Sequence, residues 1–288
     1  MKIKSLTKHF GAEIIGIDIS SALDNDAFNK ISNAFYKYSV LLFRDQNLSE
    51  EKHVAFTQRF GPLISITESV PSVSSDPNNV NHWLIRFSNV DENGSIIPPD
   101  SKEMIGMFNA NALWHSDGSF KKNPDKGSVL YAEQIPPEKG ETELASLRAA
   151  YSDLPNHRKI ELEGLMAEHS FAHSRRNFDL DEAAKSIIDK YPPAEHPLVR
   201  TIPETGEKSL FVASHASHVI GWPLDKGENF INELMEFSTQ KRFRYSHQWN
   251  PGDLLMWDNR CCLHRGKPWD SGKYKRVMRR TTLMGQAE

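Results

Sequence analysis

The chain has almost no cysteine. Two occur in 288 residues, and they are neighbours, Cys261 and Cys262. Adjacent cysteines cannot close a useful loop, so no disulfide framework is expected and the chain reads as a reduced, cytoplasmic protein. Long apolar runs are missing too. No stretch approaches the roughly 20 apolar residues of a membrane span. The opening MKIKSLTKHFGAEII holds no apolar run of signal-peptide length. Neither sign of charge is in excess: 35 Lys and Arg stand against 38 Asp and Glu, a net charge of −3. That balance gives no basic footprint for nucleic acid and no attraction to an anionic membrane. Internal repeats and low-complexity tracts are absent. Copies of the same chain are the expected protein partner.

The chain does have apolar periodicity, enough for a sizeable core. Ala12–Ile19 is partly alternating and predicts a strand. Phe28, Ile31, Phe35 and Tyr38 recur at helical spacing over Asp26–Tyr38. Val40–Phe43 is a short apolar run, expected as a buried strand. Ser49 opens a second helix that Gly61-Pro62 stops. From 64 to 110 the chain turns polar and rich in Ser, Pro and Asn, around one strand-like segment, HWLIRFSNV. Loops of this length are commonly functional, and this one is expected to be a lid. Strands are expected at Ser128–Gln134 and up to Ala145, and Ser146 caps a helix. A polar, helix-containing insertion is expected at 172–193. A helix follows at Glu228–Gln240, and the end is strand-rich: Phe243–Trp249, Asp253–Trp257, Cys262–His264 and Arg276–Met284. Many short strands with Gly/Pro turns point to a mainly β fold with flanking helices, a jelly roll in one domain spanning 1–288.

The chemistry centres on Trp114-His115-Ser116-Asp117-Gly118. On a strand, positions i and i+2 share a face, so His115 and Asp117 are expected to project side by side. Two-thirds of a 2-His-1-carboxylate iron site would then stand on one segment. His264, after an apolar strand and a turn, is the candidate third ligand. A hydrogen-bonded core histidine is the competing reading for each. In Lys275–Leu283 a strand would put Arg276, Met278 and Arg280 on one face. Two inward guanidiniums are costly without anions, and a dicarboxylate would pair with them bidentately.

Nine stretches carry a family resemblance: SVLLFRDQNLS, FTQRFGPL, FSNV, LWHSDGSF, GETELASLRAAYSDLP, HPLVRT, LFVASHASHVIG, WNPGDLLMWDNRCCLHRG and RRTTL. In this order they resemble the Fe(II)/2-oxoglutarate-dependent dioxygenases of the TauD/TfdA family, and its 2,4-dichlorophenoxyacetate dioxygenase branch above others. The resemblance implies a double-stranded β-helix fold. It implies Fe(II), 2-oxoglutarate and O2 as cofactor and cosubstrates, with hydroxylation of a small organic acid, C–O cleavage where an ether is present, and release of succinate and CO2. His115, Asp117 and His264 match the iron ligands and so the catalytic centre. Thr142 and Arg280 match the pair on the distal carboxylate of 2-oxoglutarate, and Arg276 the arginine near its C1 carboxylate. Asn111, His215 and Ser69 fall where the family contacts substrate, with His218 a weaker candidate. Serines at Ser69 and Ser95 stand where the phenoxyacetate branch has lysines. A non-redox cupin-type metalloenzyme, a zinc or manganese hydrolase or isomerase, is the alternative on the same triad.

Overall fold

The computed structural model describes residues 1–66, 76, 78–179 and 182–286. Strands β1 (Lys2–Ser5) and β2 (Ala12–Ile15) pair antiparallel. Helix α1 (Asn25–Tyr38) starts where the Asp24 carboxylate accepts from Ala27 N–H, and buries Ile31, Ala34 and Phe35 at helical spacing. Ser39 ends it in the left-handed region (φ 62°), and β3 (Val40–Phe43) follows. Ser49 caps α2 (Glu50–Gln58) by accepting from Lys52 N–H. Helices α1 and α2 and strand β3 start and stop close to where spacing and caps predict them; β1 is not among the expected strands, and β2 ends at Ile15 rather than Ile19.

Next come β4 (Ile85–Ser88), α3 (Lys102–Ala112), β5 (Gly127–Gln134), β6 (Thr142–Ser146), α4 (Leu147–Asp153) and α5 (Asn156–Glu161). Then follow β7 (Met166–His169), α6 (Phe171–Arg175), α7 (Glu182–Lys190), β8 (Ala194–Pro197), β9 (Val199–Thr201), β10 (Lys208–Leu210), β11 (Ala216–Val219) and α8 (Leu224–Ser238). The last are β12 (Arg244–His247), β13 (Leu254–Asp258), β14 (Cys262–Gly266) and β15 (Val277–Leu283). Among the described residues no helix is long and apolar enough to cross a membrane.

The main sheet runs β1-β2-β3-β13-β5-β15-β4, and a smaller one runs β12-β6-β14. Two-residue periodicity explains how the main sheet is used. Leu41, Phe43, Val129, Tyr131, Leu254 and Met256 pack with Phe35, Phe56 and Phe60 of the helical layer. Their alternate neighbours Leu42, Leu130, Ala132, Leu255, Trp257 and Met278 pack instead with Leu144 of the smaller sheet. A strand buried on both faces reads as an unbroken apolar run, which is why Val40–Phe43 looks as it does. Beyond the smaller sheet, Ala145 and Leu263 join Phe230, Ile231 and Leu234 of α8 in another cluster. The inner faces of the two sheets thus line one space.

Two expectations change. The His-x-Asp segment is not a strand. Only His115 makes a β-bridge, and the chain turns at Asp117 through Gly118 (φ +64°). A Cβ at Gly118 would fall 2.5 Å from the Asp125 carboxyl group, so the turn needs glycine. The stretch 64–110 holds α3 as well as β4. Gly106 and two Asn hide α3 from propensity, but Met104 is buried and Phe108 meets Trp269 at 4.7 Å between ring centroids. Residues 67–75 and 77 of the expected lid, with Ser69, and residues 180 and 181 of the expected insertion lie outside the described residues.

Candidate active site

His115 and His264 face each other across a two-hydrogen-bond bridge. His115 N–H donates to His264 O at 3.0 Å, and His264 N–H returns to His115 O at 2.8 Å. The imidazole centroids are 4.1 Å apart. Asp117 closes the triangle, with Oδ1 3.9 Å from His115 Nε2 and Oδ2 3.7 Å from His264 Nε2. One donor atom from each residue lies within 4.8 Å of the others. Residues 115 and 264 are far apart in sequence. The bridge sets His264 beside His115, and the turn through Gly118, not a strand, brings Asp117 to them.

The surroundings fix two of the three donors. His115 Nδ1 lies 2.7 Å from Leu113 O. A carbonyl only accepts, so Nδ1 carries the proton and Nε2 keeps its lone pair toward Asp117. Asp117 Oδ2 accepts from Ser128 Oγ at 2.6 Å, and both its oxygens accept from Arg280 Nη1 at 3.0 and 3.1 Å. Asn259, fully buried, ties this together. Its Oδ1 accepts from Asp117 N–H and Trp257 Nε1–H, and its Nδ2 donates to Ser128 Oγ. Burial pushes the pKa of both histidines below the ordinary value, so both stay neutral, as ligands must. Burial alone would raise Asp117. The Arg280 charge, with the Ser128 hydrogen bond, outweighs it and holds the carboxyl well below the usual range. Two neutral imidazole nitrogens and one carboxylate, convergent, with Asp117 and His264 buried and His115 half-buried, fit Fe(II) with positions to spare.

Two cavities meet at this triangle. The first, about 250 Å³, is lined by His264, Thr142, Leu130, Trp257 and Arg276. The second, about 230 Å³, is lined by Asp117, Phe120, Phe171, Tyr191, Arg175 and His215. His115, Arg280, Asn111 and Phe87 wall both. Strand register explains the sorting. Leu144 pairs with His264, so Thr142 and Gly266 lie two residues along the same inner face. Arg280 pairs with Leu130, and Thr282 with Ser128, which puts Arg280 at the Asp117 end of β15. Arg279 points the other way, to Glu133 and Leu48 O.

Arg276 stands apart from the triad, over Trp269 at 5.1 Å, in the cavity that also holds Thr142. Burial lowers its pKa to about 10, and its Nε is buried without a partner. Arg280 is thus at the metal end, on Asp117, while Arg276 lies away from it in the cavity with Thr142. The register of β15 on β5 decides this, and no local pattern reports it.

Asn111, at the end of α3, borders both cavities. His215 is buried in the second, with Nδ1 2.9 Å from Ser119 Oγ and its ring stacked on Phe171. His218 is held instead by Ser217 and lines neither cavity. Sequence reasoning missed Ser128, Asn259 and Arg175. The first two have no local signal: Ser128 meets Asp117 across a turn, and Asn259 meets Asp117 and Ser128 from over a hundred positions away. Arg175 has one: Phe171 and Phe178 flank it at helical spacing, and its guanidinium lies 4.9 and 5.9 Å from their rings.

Comparison with known proteins agrees with this geometry. The family model described as Taurine catabolism dioxygenase TauD, TfdA family, matches residues 2–282. The chain belongs to that family, and it is a 2-oxoglutarate-dependent dioxygenase using Fe(II), 2-oxoglutarate and O2. It is 41% identical over 278 residues to the alpha-ketoglutarate-dependent 2,4-dichlorophenoxyacetate dioxygenase of Cupriavidus pinatubonensis, covering 95% of this chain and 94% of that one. It is 33% identical over 292 residues to the (S)-phenoxypropionate/alpha-ketoglutarate-dioxygenase of Sphingobium herbicidovorans, covering 98% and 94%. Among solved structures it resembles AAD-2 in complex with Mn(II) and N-oxalylglycine, with a TM-score of 0.86, 34% identity, and coverage of 99% of this chain and 98% of that one. The non-redox hydrolase or isomerase alternative finds no support among these proteins.

Proposed function

We propose that the protein oxidises a small organic acid of the aryloxy carboxylate type, releasing succinate and CO2. The observation that carries this is the meeting of two cavities at one triad. One offers an unpaired guanidinium and a hydroxyl for a dicarboxylate, and the other has aromatic walls. The relatives named above act on phenoxyacetate and phenoxypropionate compounds.

In this reading His115, Asp117 and His264 hold Fe(II), which when bound supplies the oxidative chemistry with 2-oxoglutarate and O2. Arg276 and Thr142 take the distal carboxylate. Thr142 Oγ1 already accepts from Trp249 Nε1–H at 3.1 Å, so its own proton is free to donate. Arg280 steadies Asp117 and faces the C1 carboxylate. Leu130 and Trp257 keep water from the first cavity. Asn111 and His215 shape the substrate side. Hydroxylation of a carbon next to an ether oxygen gives a hemiacetal, which collapses to an alcohol or phenol and a carbonyl. The net result is C–O cleavage.

The opposed faces of the main sheet and of β12-β6-β14 support a double-stranded β-helix core. The segment 64–110 serves as a lid, because Ile66, Phe87, Met107 and Phe108 wall the cavities from it. The insertion 172–193 adds Arg175, Ile187 and Tyr191 to the same wall. All of this belongs to one domain. A cytoplasmic homo-oligomer is the expected setting, and buried free thiols at Cys261 and Cys262 suit a reducing compartment.

The test is succinate release with Fe(II) and 2-oxoglutarate, scored against a panel of aryloxy acids, aliphatic carboxylates, sulfonates and sulfates. Acceleration by aryloxy acids with release of the matching phenol is expected. Acceleration by sulfonates or sulfates alone would overturn the reading.

A further inference from the structure

The second cavity presents three cations: Lys121, Arg175 and Arg280. Two are already paired. Lys121 Nζ lies 2.8 Å from Asp125 Oδ1, and Arg280 is on Asp117. Among the described residues, Arg175 has no acidic partner. Burial lowers its pKa, and no anion offsets the loss of hydration. A half-buried, unpaired guanidinium is costly to keep in a structural role. Arg175 lines the same cavity as His115 and His215. The ring of Phe171 lies against it, as Arg stacking on an aromatic face requires, and stacking leaves the in-plane N–H groups free for a bidentate acceptor.

We propose that Arg175 is the specificity-determining anchor for the substrate's carboxylate. The proposal rests on the organic-acid reading above. Phe120, Phe171 and Tyr191 then receive the rest of the substrate. With the carboxylate held beside His115, the carbon next to it is presented to the metal, and the aryl ring is directed away. Neither serine at the positions of the branch's lysines is needed for this.

The experiment compares wild type, Arg175→Gln and Arg175→Lys loaded with Mn(II) and N-oxalylglycine. Each is titrated calorimetrically with 2,4-dichlorophenoxyacetate and with its neutral counterpart, 2-(2,4-dichlorophenoxy)ethanol. Loss of a charge-assisted pair predicts that Arg175→Gln binds the acid about 10- to 100-fold more weakly. The alcohol should bind all three proteins alike, and Arg175→Lys should recover part of the loss. The KM for 2-oxoglutarate in the iron enzyme should not change, which also shows that the variants fold. Equal acid affinity in wild type and Arg175→Gln would remove Arg175 from the role while leaving the organic-acid reading intact. A parallel loss for acid and alcohol would make its role one of shape and likewise overturn the proposal. A wild type that ignores the acid while binding N-oxalylglycine normally would overturn both.

Discussion

Arg280 Nη1 sits 3.0 Å from Oδ1 and 3.1 Å from Oδ2 of Asp117. The one carboxylate of the triad is therefore gripped from behind by a cation that also borders both cavities. That contact keeps Asp117 ionised in a buried place. It also commits Arg280 to the metal end of the site, leaving Arg276 for the far end.

Replacing the carboxylate tests the triad directly. Asp117→Ala is expected to lose nearly all turnover and most bound iron, since among the described residues Asp117 is the one carboxylate grouped with His115 and His264. Metal analysis and succinate release on the purified variant check this. Wild-type iron content would refute the assignment.

The order of the two arginines has its own signature. Arg276→Lys keeps the charge and loses the fork, so the KM for 2-oxoglutarate should rise about 5- to 150-fold with iron content unchanged. Arg280→Lys should weaken iron retention as well, because it loosens Asp117. If only Arg280→Lys shifts the KM and both variants keep their iron, the order is the one the sequence resemblance implied.

Asn259 holds three groups of the site at once. Asn259→Ala leaves Trp257 Nε1–H and the Asp117 N–H without their acceptor in a dry interior. Unfolding free energy should drop by about 1–3 kcal/mol. Iron affinity should fall by about 10- to 100-fold, as for other outer partners of metal ligands. Denaturant melts and a competitive metal titration separate the two effects. Unchanged iron affinity would make Asn259 structural only.

These three predictions differ in how far the sequence announces them. His115, Asp117 and His264 are legible because their chemistry is local and rare. Val40–Phe43 and α1 are legible because burial on both faces or on one stripe leaves a period. Ser128 and Asn259 are not, since a serine in a strand and an asparagine in a turn acquire meaning only from partners folded against them. The turn at Gly118 replaced the expected strand for a similar reason. The second hydrogen-bonding partner that makes a strand was one residue of β14, not a whole neighbour. Arg175 lay in a segment that reads as a polar insertion, and only the cavity gives it a purpose.

Acid should weaken the fold through His53. Its Nε2 lies 3.2 Å from both Val129 O and Thr281 Oγ1, and burial, aided by the Arg279 charge, lowers its pKa from 6.5 to about 3. Between those values the unfolded chain binds a proton that the folded chain refuses. Stability from this group is complete above pH 6.5 and declines as pH falls toward 3, by about 1.4 kcal/mol per pH unit. His53→Gln should flatten that part of the pH dependence in urea melts. An unaltered slope would assign acid sensitivity to other buried histidines.

The walls shared by the two cavities couple their occupants. Phe87, Asn111, His115 and Arg280 belong to both. A ligand that fixes these side chains in one cavity spares the next ligand the entropy of doing so in the other. By thermodynamic linkage the benefit is reciprocal. Whatever factor 2-oxoglutarate adds to the affinity for the organic acid, the acid must return to 2-oxoglutarate.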